Sequence, residues 1–286
     1  MIKNFLLVTN SVKEEAVEKS QKVIQALENK GLRCTANLFT KENVNGDYLF
    51  TNPENVPEDT EAVLVLGGDG TMLHAVKDLI GLNLPFLGIN FGTLGYLTEI
   101  EADSFDEAVE VLCSGDYHIE DRMLLQGDIY RNGKVIAHDI ALNDIVLNRI
   151  SYVSVIDFDV FVNGEFLNGY AADGIIISSP TGSTGYNLSA GGPVVHPESE
   201  ILLATPIAAH TLNSRSIVFT ADVEIELKIK RKMRERRQQK VVSFDGEKEI
   251  LLKDGDTVRV KKAAETVKII KINKLSFVEI IGKKMR

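Results

Sequence analysis

The sequence predicts an α/β domain followed by a β-rich domain and a short C-terminal helix, and three observations carry that reading. Apolar strand-like runs alternate with helix-period segments through about residue 115, as they do where crossover helices join the strands of a parallel sheet. Beyond Asp121 the strand-like stretches are separated instead by Asn-Gly pairs, which tolerate the positive φ angles of tight hairpin turns. The chain has 286 residues, enough for two modest domains. Boundaries are placed at 1–120 and 121–272, with 273–286 as a helix expected to pack back on the first domain.

Phe5 to Val8 is a short strand, followed by Val12, Ala16, Val17, Val23, Ile24 and Leu27 at helical spacing and Gly31 as a C-cap. Leu32 to Phe39 can form the next strand, and Lys41 to Thr60, polar and broken by Gly46, Pro53 and Pro57, reads as loop or weak helix. Ala62 to Leu66 is a continuous apolar strand, and Met72, Leu73, Ala75, Val76, Leu79 and Ile80 mark an amphipathic helix. Pro85 to Ile89 and Ser104 to Leu112 repeat the strand-helix alternation. In the second domain Asn132-Gly133, Asn163-Gly164 and Asn168-Gly169 are read as turns. Ile217 to Phe219, Val223 to Ile229, Lys240 to Phe244, Thr257 to Val260 and Val267 to Ile272 are read as strands. Leu275, Phe277, Val278, Ile281 and Met285 have helical spacing, with a basic end that suits a helix C-terminus.

Composition excludes several function classes. With 32 basic and 41 acidic residues the net charge is -9, so no global positive field draws a nucleic acid and any anionic ligand is bound locally. No apolar run approaches the roughly 20 residues of a membrane span. The N-terminal apolar run lacks a cleavage pattern and is expected to be kept as the first strand. Two cysteines, Cys34 and Cys113, fit a reducing compartment, and a cytoplasmic location is expected.

Three constellations carry chemistry. Gly67-Gly68-Asp69-Gly70-Thr71 joins a buried strand to a helix, where free N–H groups and the helix dipole favour a phosphate and glycines allow close approach. It is neither a Gly-x-Gly-x-x-Gly fingerprint nor a P-loop. Asp173-Gly174 and an apolar strand lead into Ser178 to Tyr186, continuing to Ser189 and Gly191-Gly192-Pro193. Its hydroxyls and backbone donors could hold sugar hydroxyls or phosphates, with Tyr186 as a flat face beside them. Asn143-Asp144 lies between apolar strand residues. A vicinal ribose diol is a natural partner for an amide and a carboxylate, and a turn or bulge is the structural alternative.

In this order, and with Asn90-Phe91-Gly92-Thr93-Leu94-Gly95-Tyr96-Leu97, these blocks resemble those of the NAD kinase family over nearly the whole chain. The resemblance implies transfer of the γ-phosphoryl group of ATP, or polyphosphate, to the adenosine-ribose 2′-hydroxyl of NAD, giving NADP. It also implies a β-sandwich as the second domain, a homo-oligomer (dimer or tetramer) and a divalent metal, usually magnesium. Position by position, Asp69 resembles the catalytic aspartate, with Gly67, Gly68, Gly70 and Thr71 forming the phosphate-donor turn. Asp69, Gly70, Asn143, Asp144, Asp173 and the stretch Thr184, Gly185, Tyr186, Asn187, Leu188 and Ser189 resemble dinucleotide contacts. His74, one turn beyond Asp69, stands where the family often has a basic residue near phosphate, or is a helix-surface histidine. Gly185 stands where most members have alanine, and Ala171 where some have a basic side chain. The first glycine turn alone also resembles that of diacylglycerol and sphingosine kinases. A lipid kinase therefore competes, as does a non-catalytic dinucleotide-binding regulator. The former lacks an accompanying membrane-binding segment, and the latter would be expected to have lost Asp69. Lys228 to Lys240 holds eight basic residues and one acid, and reads as a hairpin with a solvated tip or as an anion or subunit contact.

Overall fold

The computed structural model describes residues 2–10, 14–39, 42–44, 47–91, 95–150, 155–210, 214–230, 239–272 and 275–284. The chain divides into two compact units, one of residues 1–121 with 267–286 and the other of 122–266.

In the first unit β1 (Asn4–Asn10) is followed by α1 (Glu14–Glu28) and β2 (Arg33–Phe39), with which it pairs in parallel. Where loop or weak helix is expected, β3 (Glu42–Val44) and β4 (Asp47–Leu49) pair antiparallel, ahead of a 3-10 turn at Pro53–Asn55 capped by the Asn52 side chain. Then come β5 (Ala62–Leu66), α2 (Asp69–Leu79), β6 (Pro85–Asn90), the short β7 (Ile100–Glu101) and α3 (Phe105–Ser114). Parallel pairing runs in the order β2, β1, β5, β6. Every β5 residue is buried, which is why that strand is apolar without alternation. Phe5, Leu7, Leu64, Leu66, Leu87, Val23, Leu27 and Leu112 share one core cluster with other residues of the unit.

In the second unit β10 (Asp144–Arg149), β13 (Gly174–Ser178), β14 (Ile201–Ile207), β15 (Ile217–Thr220), β17 (Lys240–Phe244) and β18 (Lys248–Leu252) form an antiparallel sheet in the order β15, β14, β13, β10, β17, β18. A second antiparallel array contains β8 (His118–Arg131), β9 (Lys134–Ala141), β11 (Ile156–Val162), β12 (Glu165–Ala172), β16 (Ile225–Ile229) and the first part of β19 (Thr257–Lys271). One core cluster takes Ile145, Leu147, Ile175, Ile177 and Phe244 from the first sheet and Leu125, Ile129, Phe158, Val160 and Val258 from the second. Two antiparallel sheets with a shared core make a sandwich-like arrangement.

Asn132-Gly133 and Asn163-Gly164 occupy positive φ, at 51° and 76° and at 49° and 82°. Asn168-Gly169, by contrast, lies inside β12 and is no turn. A Cβ at Gly169 would lie 2.8 Å from Asp159 Oδ1 and 3.0 Å from Lys230 Nζ, so this glycine gives room to an ion pair. The two strands read at 257–260 and 267–272 are one, with Ala263 the buried residue of the polar stretch between them; the buried positions shift from 258 and 260 to 263, 267 and 269 across that stretch. The last five residues of β19 fall in the first unit, where Lys268 and Ile269 pair in parallel with Pro85 and Phe86. There too lies α5 (Phe277–Lys284). Gly92, Thr93 and Leu94, and 231–238 of the basic segment, lie outside the described residues. Among the described residues no helix is long and apolar enough to cross a membrane.

Candidate active site

The first constellation falls where β5 hands the chain to α2. Asp69 is the first residue of that helix, between exposed Gly68 and Gly70, and is itself half-buried. A Cβ at Gly67 would overlap the Thr71 side chain, so only glycine fits beneath the turn. The Asp69 carboxylate accepts the Tyr96 N–H at 3.0 Å and the Leu97 N–H at 3.1 Å, one on each oxygen. Gly95 has to be glycine for the same contact, since a Cβ there would overlap that carboxylate. The Asn90 to Leu97 block thus supplies the amides that fix Asp69. His74 packs its ring against Phe50, with centroids 4.1 Å apart.

In the second unit Asn143 and Asp144 sit where β9 ends and β10 begins. The positive-φ turn Asp245-Gly246, between β17 and β18, sends the Asp245 carboxylate back under them. It accepts the backbone N–H groups of Leu142 (2.7 Å), Asn143 (2.8 Å) and Asp144 (3.0 Å). Burial, reinforced by the Asp245 charge, pushes the Asp144 carboxyl up to about 7. Burial also raises Asp245, to about 6, against the opposing pull of those three amides. Asn143, Asp144, Tyr186 and Asp245 help line a cavity of about 280 Å³, near the lower end of small-molecule sites.

The side chains of the hydroxyl-rich loop bond chiefly to the backbone of their own neighbourhood. Ser178 and Ser179 bond the carbonyls of Asn143 and Leu142, at 3.2 and 2.5 Å. Ser183 exchanges hydrogen bonds with Val195, and Thr184 bonds the Thr181 carbonyl at 3.3 Å. Asn187 is fully buried, donates to the Ser183 and Pro193 carbonyls and accepts from Thr205. These side chains build the loop, which leaves exposed Tyr186 and backbone to face a ligand. Gly182 packs on the Asn143 backbone so closely that a Cβ would overlap it. At Gly185 a Cβ would sit 3.4 Å from the nearest atom, so alanine would be accommodated. Leu188 and Ser189 continue the short helix α4 (Tyr186–Ser189), and Asp173 precedes β13. Asp173 is held by Arg149 through two bonds, of 2.6 and 2.9 Å, which keep its carboxyl below the usual range. Asp245 and Arg149 escaped the sequence reading. An Asp-Gly pair ahead of a strand was the available signal for the first, and Arg149 gave none.

An α/β unit that presents a fixed carboxylate at a glycine turn, with a β unit bearing a half-buried amide beside a buried carboxylate at a cavity, defines a two-domain, nucleotide-handling phosphotransferase. Residues 5–117 match the family model of the ATP-NAD kinase N-terminal domain, and residues 142–272 that of the C-terminal domain. The NAD kinase of Lachnospira eligens is 41% identical over 293 aligned positions, 99% of this chain and 100% of that protein. That of Agathobacter rectalis is 39% identical over 284, covering 99% of both. Among solved structures, yeast NADH kinase complexed with NADH has a TM-score of 0.84 at 25% identity, over 99% of this chain and 87% of its own. The NAD kinase from Archaeoglobus fulgidus in complex with ATP has a TM-score of 0.75 at 24% identity, over 98% of each chain, a likeness of fold. The chain belongs to the NAD kinase family, enzymes that phosphorylate NAD to NADP, and the lipid-kinase and regulator readings are set aside.

Proposed function

We propose that this protein makes NADP by transferring the terminal phosphoryl group of ATP to the adenosine-ribose 2′-hydroxyl of NAD, with Asp69 serving the transfer and Asn143 and Asp144 holding the dinucleotide. The observation that carries the assignment is the Asp69 carboxylate, fixed by two backbone N–H groups at a glycine turn. In the transfer the 2′-oxygen bonds to the γ-phosphorus and the bond to the β,γ-bridging oxygen breaks. That electron pair leaves with ADP, and the hydroxyl proton passes to Asp69. An aspartate carboxylate is too weak a base to deprotonate a sugar hydroxyl beforehand. It takes the proton as transfer proceeds, and in a loose transition state alignment contributes most.

The family's magnesium fits this arrangement. Mg²⁺ takes oxygen ligands, commonly one or two carboxylates with the substrate's own phosphates, and each Asp69 oxygen has a lone pair beyond the one given to an amide. Asp69 would hold the ion together with the donor, and the ion would neutralise phosphate charge. Asn143 and Asp144 would accept and donate hydrogen bonds to ribose hydroxyls, Tyr186 would cover a flat ring, and Gly68, Gly70 and Thr71 would face the donor. Gly67 would support the turn from beneath. Asp173, His74 and the backbone of Thr184, Gly185, Asn187, Leu188 and Ser189 complete the proposed set. A homo-oligomer and a cytoplasmic location extend the reading, the latter supported by the free thiols of Cys34 and Cys113.

Purified protein with NAD, magnesium and either ATP or polyphosphate, scored for NADP, tests the proposal. NADP is expected with ATP. None with any nucleotide or polyphosphate, at saturating NAD and with magnesium or manganese, overturns it.

A further inference from the structure

The C-terminal helix α5 shows two faces. Phe277, Ile280, Ile281 and Lys284 are half-buried, while Val278, Glu279, Gly282 and Lys283 are exposed. The spacing i, i+3, i+4, i+7 puts the first four on one stripe, so a lysine occupies a position on the inward face. The Lys284 ammonium lies 3.8 Å from the centroid of the Tyr96 ring. Tyr96 is the residue whose backbone N–H is bonded to Asp69. Among the described residues Lys284 forms no ion pair, and burial lowers its proton affinity while the Asp69 charge partly restores it. It is a restrained, partly desolvated cation beside the proposed transfer site, with three donors and no carboxylate bonded to them. An ammonium in that state suits an anion, because its attraction to phosphate is stronger away from bulk water.

We propose that Lys284 is a further residue of the phosphoryl-transfer site, whose ammonium binds the terminal phosphate of the donor beside Asp69. This rests on the assignment of Asp69 to that site. Lys284 exchanges no proton and forms no bond to phosphorus. It offsets the negative charge on the non-bridging oxygens of the group being transferred, and the aromatic face of Tyr96 keeps it in place when no donor is bound.

The test uses the full chain with Lys284→Met, which keeps the aliphatic stem over Tyr96 and removes the charge, and Lys284→Arg, which restores it. Lys283→Met, on the exposed face, is the control. Two quantities are read: the KM values for ATP and NAD, and the affinity for inorganic tripolyphosphate without NAD, by calorimetry. The expected result for Lys284→Met is a rise in the ATP KM and a weakening of tripolyphosphate binding of about tenfold or more each, with the NAD KM within twofold. Lys284→Arg should recover most of both, and Lys283→Met should match wild type. If Lys284→Met does not fold, Lys284→Gln takes its place. Wild-type ATP KM and tripolyphosphate affinity in either variant overturn the inference. Equal weakening of ATP and NAD with a lowered melting temperature also overturns it, since that is the mark of a packing role. Asp69→Asn is measured alongside: turnover unchanged in that variant rejects the Asp69 assignment, whereas tripolyphosphate binding reports on Lys284 without requiring turnover.

Discussion

Asp69 and Asp144 are both carboxylates, yet their surroundings differ, and with them the roles proposed for each. Asp69 is half-buried and held by two amides. Asp69→Asn keeps its shape and removes the charge, so kcat should fall by roughly 10² or more while NAD affinity changes little. Single-turnover kinetics and an NAD titration check both halves. Asp144 is buried beside a second carboxylate and lifted to about 7. Such a group binds its proton more tightly folded than unfolded. Its stabilising effect is therefore complete below the unfolded value of about 4 and is lost as pH rises through about 7. Asp144→Asn, freed of this cost, should melt a few degrees above wild type at pH 8, with the gain shrinking toward pH 4. The same variant should bind NAD more weakly, by about 1–3 kcal/mol at pH 8. Wild-type NAD affinity should fall as the pH drops below 7, and the variant should not show that step. Titrations between pH 5.5 and 8.5 with parallel thermal melts decide the matter. The Asn143-Asp144 pair was legible because two polar residues interrupt apolar strands. Asp245 was not, because its partners lie about a hundred positions earlier in the chain and no local pattern announces which backbone a turn carboxylate will reach.

Elements whose periodicity reports burial directly were read well from the sequence: β5, α2, β6 and α3 combine apolar runs or stripes with glycine punctuation. β19 was divided because Lys261, Lys262, Glu265 and Thr266 interrupt its apolar runs, and Ala263, the buried residue among them, is too small to give a strong apolar mark. The internal bonds of the Ser/Thr loop were not legible, because composition does not reveal which carbonyls its hydroxyls will reach. A further feature invisible in one dimension is the buried ion pair of Glu99 with Lys271, which joins the segment beyond Tyr96 to the end of β19. Both side chains are almost wholly enclosed, at 3% and 9% exposure. Removing one partner of such a pair leaves a buried charge alone and costs about 3–5 kcal/mol, whereas replacing both with apolar groups is often neutral. Lys271→Met should therefore be strongly destabilised in urea melts, and adding Glu99→Leu should recover most of the loss. A single variant as stable as wild type would show that the pair contributes nothing to the first unit.

Across the whole molecule charge is distributed unevenly. Lys228 to Lys240 carries +7 within a total of -9, so the rest of the chain carries -16. At the ends of this run the lysines already have partners: Lys228 with Glu226 and Lys230 with Asp159, each at 2.7 Å, and Lys240 with Asp254. Those three belong to strand packing in the second unit. The arginines between them are far in sequence from every motif block, and charge interactions through water are screened beyond roughly 8–10 Å at physiological salt. Replacing Arg234, Arg236 and Arg237 together with Ser should leave kcat/KM for ATP and NAD within about threefold, which corresponds to only ~0.65 kcal/mol of transition-state stabilisation. The substitution removes three positive charges and takes the net from -9 to -12. Any change should therefore appear first in solubility or in the size of the particle in solution. Steady-state kinetics and light scattering on the same preparation separate the two effects. Activity lost well beyond threefold, in a variant folded and of unchanged size, would mean that the basic run reaches a substrate phosphate. Activity lost together with a smaller particle would mean that it joins subunits and that the active form is the assembly.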